Sequence, residues 1–209
     1  MDATAAASTP DIVPEAGDVY FSADVETDGP IPGPYSMLSF ALVPAGVFDG
    51  ESFRRPAADG DVFYAQLRPI SEEFQPEALA VNGLDRDVLL REGTDPKQAM
   101  EDAAHWISSR CGTGTPVLVA YPLSFDWSWL YWYFVRFAGS SPFRHSHCFD
   151  IKTAVAVKCG IPIAEAGRKR LPPELQSQRA HTHHAVDDAI AQAEVFAKVF
   201  EYRGPVQNK

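Results

Sequence analysis

The sequence predicts an α/β fold: a mixed β-sheet, antiparallel over its first three strands and parallel thereafter, flanked by helices. Two observations point there. Three β-favouring runs, at 18–25, 35–43 and 62–68, are joined by Gly/Pro-rich or polar links, the usual signature of an antiparallel start. Beyond them, helical spacing alternates with a compact apolar run at 115–121, which lays helices over a sheet. Neither a repeat nor a linker composition divides the 209 residues, so a single domain is expected over 18–203. The Ala/Thr/Ser/Pro-rich segment 1–17 is expected to be disordered or loosely attached, and 204–209 to be a short tail.

Each element has its own warrant. Val19, Tyr20 and Phe21 open the first strand, and the Gly/Pro-rich connection 28–34 leads to the second. A polar loop is expected over 46–61. Pro76 starts a short helix that Asn82-Gly83 stops. Ala99, Met100, Ala103, Trp106 and Ile107 recur at helical spacing within 96–110. Thr115 to Tyr121 reads as a central strand, and 126–138 as a helix rich in Trp, Tyr and Phe. A helix over 150–158 closes at Gly160, a long connection fills 160–182, and the last helix runs from His183 to Tyr202.

Bulk properties remove several function classes. A net charge of −10 argues against coating duplex nucleic acid by bulk electrostatics, though not against gripping a strand end through metals and a few local cations. Cys111, Cys148 and Cys159 form no CxxC pair, which suggests reduced thiols in a cytoplasmic protein and neither a disulfide framework nor a zinc site. Ser128 and Arg136 interrupt the aromatic segment 127–138, so no membrane span is expected, and no basic-then-apolar leader marks a secretory signal.

The candidate chemistry begins in the first strand. Asp24 and Glu26 are two residues apart, so both carboxylates point to one face. Such a pair is either solvated at a strand end or neutralised, and a divalent cation is the natural partner. Asp126 sits where the central strand gives way to a helix, a favoured address for a ligand and also for an acid that offsets the helix dipole. Asp188 follows His184 by four residues and His183 by five, so a histidine at the helix start can lean over the site its later carboxylate enters. A zinc cluster of His181, His183 and His184 is the weaker alternative, because consecutive histidines cannot all converge on one ion. Arg168, Lys169, Arg170 and Arg179 form either a phosphate-gripping rim or a solvated loop.

Asp24-x-Glu26-Thr27, Phe125-Asp126 and His183-x-Ala185-x-x-Asp188 together resemble the three exonuclease motifs of the DEDD superfamily, in its histidine-bearing branch. Their order and spacing agree over about 18–200, and the Pro76 to Leu84 segment resembles the family's connector. The resemblance implies an RNase H-like fold and hydrolysis of nucleotides from a 3′ end. It implies that Asp24, Glu26, Asp126 and Asp188 hold two divalent ions, Mg²⁺ or Mn²⁺, with His183 as general base and His184 as a substrate-side neighbour. Two ions about 3.5–4 Å apart can generate a hydroxide and stabilise the departing oxygen, and hard oxygen ligands suit Mg²⁺ and Mn²⁺. Thr27, Asn82 and Tyr121 join the four cations of the loop as expected substrate contacts. One departure stands out: relatives commonly carry His-Asn where this chain has Tyr121-Pro122, which bears on substrate positioning more than on metal binding.

The aromatic helix must bury some rings and leave others to stack on bases or to cover a second copy of the chain, and a homodimer is expected through that surplus face. Single-stranded DNA or RNA 3′ ends are the expected substrates, with the choice between them open. A polymerase-bound proofreading role is less favoured, since no long tail follows Tyr202, and an inactive binding module is least favoured because all five chemical residues are present.

Overall fold

A computed structural model describes residues 17–56, 60–180 and 182–204. Most of the segment before the first strand, His181 and most of the tail lie outside these residues. Six strands form one sheet: β1 (Asp18–Thr27), β2 (Met37–Phe48), β3 (Phe53–Arg54), β4 (Phe63–Gln66), β5 (Thr115–Ala120) and β6 (Cys148–Asp150). Its order is β3-β2-β1-β5-β6, with β4 pairing β2 as well. β1 pairs antiparallel with β2 and parallel with β5, so the expected mixed sheet is present and β1 lies at the change of direction.

Six α-helices accompany the sheet: α1 (Pro76–Asn82), α2 (Arg86–Glu92), α3 (Pro96–Cys111), α4 (Leu123–Ala138), α5 (Ile151–Cys159) and α6 (Ala185–Glu201). The pleat of β1 sorts its side chains. Val19, Phe21, Ala23 and Val25 face the core shared with Met100, Ile107 of α3 and Leu130, Phe134 of α4. On the other face, Tyr20 packs with Val155 of α5 and Val195, Phe196 of α6, while Ser22 donates its hydroxyl to the Ala189 carbonyl of α6 at 2.8 Å. One strand therefore supplies the core with every second residue and faces α6 with the rest.

Several boundaries differ from expectation. β2 runs on to Phe48, because antiparallel pairing with β1 continues through Val19↔Val47. Helix α2 was not expected, although Asp85 caps it by accepting from the Asp87 and Val88 N–H groups, a cap visible in the sequence. α4 begins three residues before Asp126, directly after Pro122. α6 begins at Ala185, not His183, since His183 has a left-handed φ of 55°. The rings of α4 divide as anticipated: Trp129, Tyr133 and Phe134 are fully buried, whereas Trp127 and Tyr131 stack on each other at 5.3 Å, both half-buried.

A buried acid braces the end of β1. Asp28 accepts from the Ser36 N–H at 2.5 Å and from Arg86 Nε at 3.1 Å, joining α2 to the turn after β1. Among the described residues, no helix is long and apolar enough to cross a membrane. The contact between α4 and β2 is testable: the buried Met37 N–H donates to the Tyr133 hydroxyl at 2.7 Å. Tyr133→Phe leaves that N–H without a partner and should lower stability by about 1–3 kcal/mol in urea unfolding.

Candidate active site

Beyond its last partner in β5, Ser22↔Val119, β1 continues unaccompanied on that edge. The Val25 N–H there is taken at 3.2 Å by Asp126 Oδ1, which reaches over from the first turns of α4. Asp24 and Glu26 share the face predicted by strand alternation. Asp24 Oδ1 accepts from Gln192 Nε2 of α6 at 2.7 Å. Asp188, fully buried one turn before Gln192, turns back to accept the Thr182 N–H at 3.2 Å and the His183 N–H at 2.9 Å. These two bonds fold the loop before α6 over the site, and the left-handed backbone of His183 completes the bend. Glu26, His183 and Asp188 each bring one ligating atom within 4.8 Å of the others.

The four acids strain one another electrostatically. Burial pushes the Glu26 carboxyl up to about 8, with repulsion from Asp188 and Asp126 adding to it. Asp126 rises to about 7 by burial, opposed by its own N–H, Arg168 and the Val25 N–H. Asp24 lies well above the ordinary carboxylate range, through burial and then through Asp126, Glu26 and Asp188, with Arg168 pulling the other way. Buried oxygen donors beside an imidazole fit a divalent cation: added positive charge offsets the burial and the repulsion that together raise Asp24 and Glu26.

A cleft of about 750 Å³ opens on this group and brings together Asp24, Glu26, Thr27, Asn82, Tyr121, Asp126, Arg168 and His183. The polar groups of Thr27, Asn82 and Tyr121 are committed to the wall. Thr27 donates to the Gly29 carbonyl, Asn82 donates to the Thr27 carbonyl and accepts from Leu84, and the Tyr121 hydroxyl donates to the Ala166 carbonyl.

The expected rim is reduced to Arg168, which also donates to the Tyr121 carbonyl at 3.1 Å. Lys169 and Arg179 border a separate pocket of about 190 Å³, and Arg179 is paired with Glu194 at 2.7 Å. Arg170 is exposed and lines neither cavity. His184 is also directed elsewhere, with its ring 5.4 Å from Tyr64. It does not converge with His183, and His181 of the alternative zinc cluster lies outside the described residues. Sequence reasoning missed Lys152 of α5, a second cation on the cleft wall, and Gln192, which spacing of one turn from Asp188 could have flagged.

Comparison with known proteins is consistent with this geometry. Residues 84–200, more than half of the chain, match the family model described as the 3′–5′ exoribonuclease Rv2179c-like domain. The chain belongs to this family. Over 180 residues it is also 35% identical to the 3′–5′ DNA exonuclease Cap18 of Escherichia coli, covering 86% of this chain and 90% of that protein. This Rv2179c-like chain is thus a 3′–5′ exonuclease by kinship. Solved structures share its fold. E. coli exonuclease I, in a zinc-bound complex with single-stranded DNA, superposes with a TM-score of 0.60 at 18% identity over 91% of this chain. The chain spans only 42% of that enzyme's length. A 3′-exonuclease described in 3′-end-specific recognition of the histone mRNA stem-loop gives 0.64 at 13% identity, covering 90% of this chain and 84% of that one. Both have the RNase H-like fold, as does this chain.

The raised carboxyls set a pH dependence. A group whose value is raised on folding stabilises the fold below its unfolded value, and that contribution is lost as pH rises through the folded value. With Glu26 at about 8 and Asp126 at about 7, the metal-free protein should lose stability between about pH 4 and 8. Mn²⁺ should therefore raise the melting temperature more at pH 8 than at pH 6, on a scale of about 2–4 °C per kcal/mol. Scanning calorimetry with Mn²⁺ or EDTA checks this; equal gains at both pH values would contradict it.

Proposed function

We propose that the chain removes nucleotides from the 3′ ends of single-stranded nucleic acid by metal-assisted hydrolysis. In this reading Asp24, Glu26, Asp126 and Asp188 hold two divalent cations, Mg²⁺ or Mn²⁺, and His183 is the general base. The observation that carries it is the approach of ligating atoms of Glu26, His183 and Asp188 to within 4.8 Å of one another, beside the cleft that Asp24, Glu26, Asp126 and His183 line. Bound cations would supply Lewis-acid charge at the scissile phosphate and an activated water at neutral pH.

The chain's own residues do the remainder. His183 is exposed at the cleft, where an imidazole can accept a proton from the attacking water near neutral pH. Its N–H bond to Asp188 fixes where the loop stands. Arg168 and Lys152 place positive charge on the cleft wall for strand phosphates, which answers how a protein of net charge −10 holds a polyanion. Val81 and Phe125, both exposed, offer apolar surface for the terminal bases. The half-buried Trp127–Tyr131 pair and exposed Val135 remain the face for a homodimer, and a monomeric mass in light scattering at micromolar concentration removes that part of the reading.

DNA is the leading substrate, because the similarity to Cap18 extends over 86% of the chain. RNA is the second reading, on the strength of the family description that matches residues 84–200. A time course on matched 5′-labelled DNA and RNA strands, with Mn²⁺ or EDTA, tests both. Shortening of DNA from its 3′ end is expected, cleavage of RNA alone reverses the substrate choice, and no cleavage of either rejects the function. The assignment of the base has its own check. His183→Ala should lower turnover about 10²–10⁴-fold with Mn²⁺ binding retained, while His184→Ala stays near wild type. Loss of Mn²⁺ binding in His183→Ala would make that residue a ligand.

A further inference from the structure

We propose that Gln192 is a positioning residue for the cation site, holding the Asp24 carboxylate in its ligating orientation. The inference rests on the cation-binding reading above and goes beyond it by assigning a residue outside the acid and histidine motifs. Gln192 lies four residues after Asp188, so α6 directs both side chains toward β1 from one face. It is 1% exposed. Its Nε2 donates to Asp24 Oδ1 at 2.7 Å, while its Oε1 is buried without a hydrogen-bond partner.

That orphaned acceptor is informative. Neighbouring α6 side chains Ala189, Val195 and Phe196 are apolar and buried, and a methionine or leucine at 192 would bury no unpaired oxygen. What glutamine alone supplies there is the donor to Asp24. The register that delivers it is fixed independently, by Ser22 Oγ on the Ala189 carbonyl at 2.8 Å.

Asp24 also differs from Asp126 and Asp188 in having no backbone donor to hold it among the described residues. Asp126 is held by the Val25 N–H, and Asp188 by those of Thr182 and His183. These backbone donors remain whatever the side chains are. Asp24 is repelled by Asp126, Glu26 and Asp188, and the charge of Arg168 acts on Asp126 as well as on Asp24. Among the described residues, only the amide of Gln192 singles out one Asp24 oxygen. A partner that orients a metal ligand from behind changes metal affinity by about 10–100-fold when it is lost.

The test measures Mn²⁺ binding by electron paramagnetic resonance, with the melting temperature in EDTA as a second readout, for wild type, Gln192→Met, Gln192→Glu and Val195→Ala. Gln192→Met fills the same space without a donor for Asp24 and should bind Mn²⁺ about 10-fold more weakly. In EDTA, Gln192→Glu, which sets a further carboxylate against Asp24, should melt below wild type. Wild-type Mn²⁺ affinity in Gln192→Met overturns the inference. So does an equal fall of affinity in Val195→Ala, which loosens the packing of α6 but leaves the donor to Asp24 in place, since that would make Gln192 a packing residue. If wild type itself binds no Mn²⁺, the cation reading fails together with this one, an outcome distinct from the other two.

Discussion

The repulsion among Asp24, Glu26, Asp126 and Asp188 is the constraint around which the molecule is arranged. Asp24 and Glu26 are raised by burial and by the carboxylates beside them, so the group must be held together by something other than mutual attraction. The hold comes from the opposite face of the same strand. Val19, Phe21, Ala23 and Val25 are buried against α3 and α4, each side chain contributing on the order of 1.5–3 kcal/mol if fully buried, less for alanine. The period of two in β1 thus ties an unfavourable site to a favourable core, residue by residue. From the other side α6 is pinned at Ala189, so that neither element can drift to relieve the crowding.

The departure at Tyr121-Pro122 finds a structural use. The Tyr121 hydroxyl holds the Ala166 carbonyl, and its own carbonyl accepts from Arg168. The pair of bonds locks the 166–168 loop against the cleft and brings a guanidinium beside Asp24 and Asp126.

How much of this was legible in the sequence depends on whether the cause was local. Alternation in β1 placed Asp24 and Glu26 on one face, and the Asn82-Gly83 stop ended α1 with Gly83 at a φ of 67°. The mixed sheet followed from strand grouping. His183 was named for the site on motif spacing, but the means of its arrival was not visible: a left-handed φ at a histidine carries no sequence mark, and the N–H bonds to Asp188 form only once α6 is docked. The basic loop was the weakest reading. Charge says nothing of direction, and Arg179 is claimed by Glu194, which tertiary folding alone brings beside it. Strands as short as β3 and β6, two and three residues long, offer no periodicity to read.

Helix α1 contributes to the cleft yet buries none of its own residues. It hangs on the end of β1 by the Gln75 N–H on the Asp28 carbonyl and the Asn82 amide on the Thr27 carbonyl. A panel attached in this way is modular: its outward residues, Glu77 and Val81 among them, can be exchanged without disturbing the hydrophobic interior. Substrate choice in this enzyme can thus diversify on a surface whose rewriting leaves the folding free energy nearly untouched.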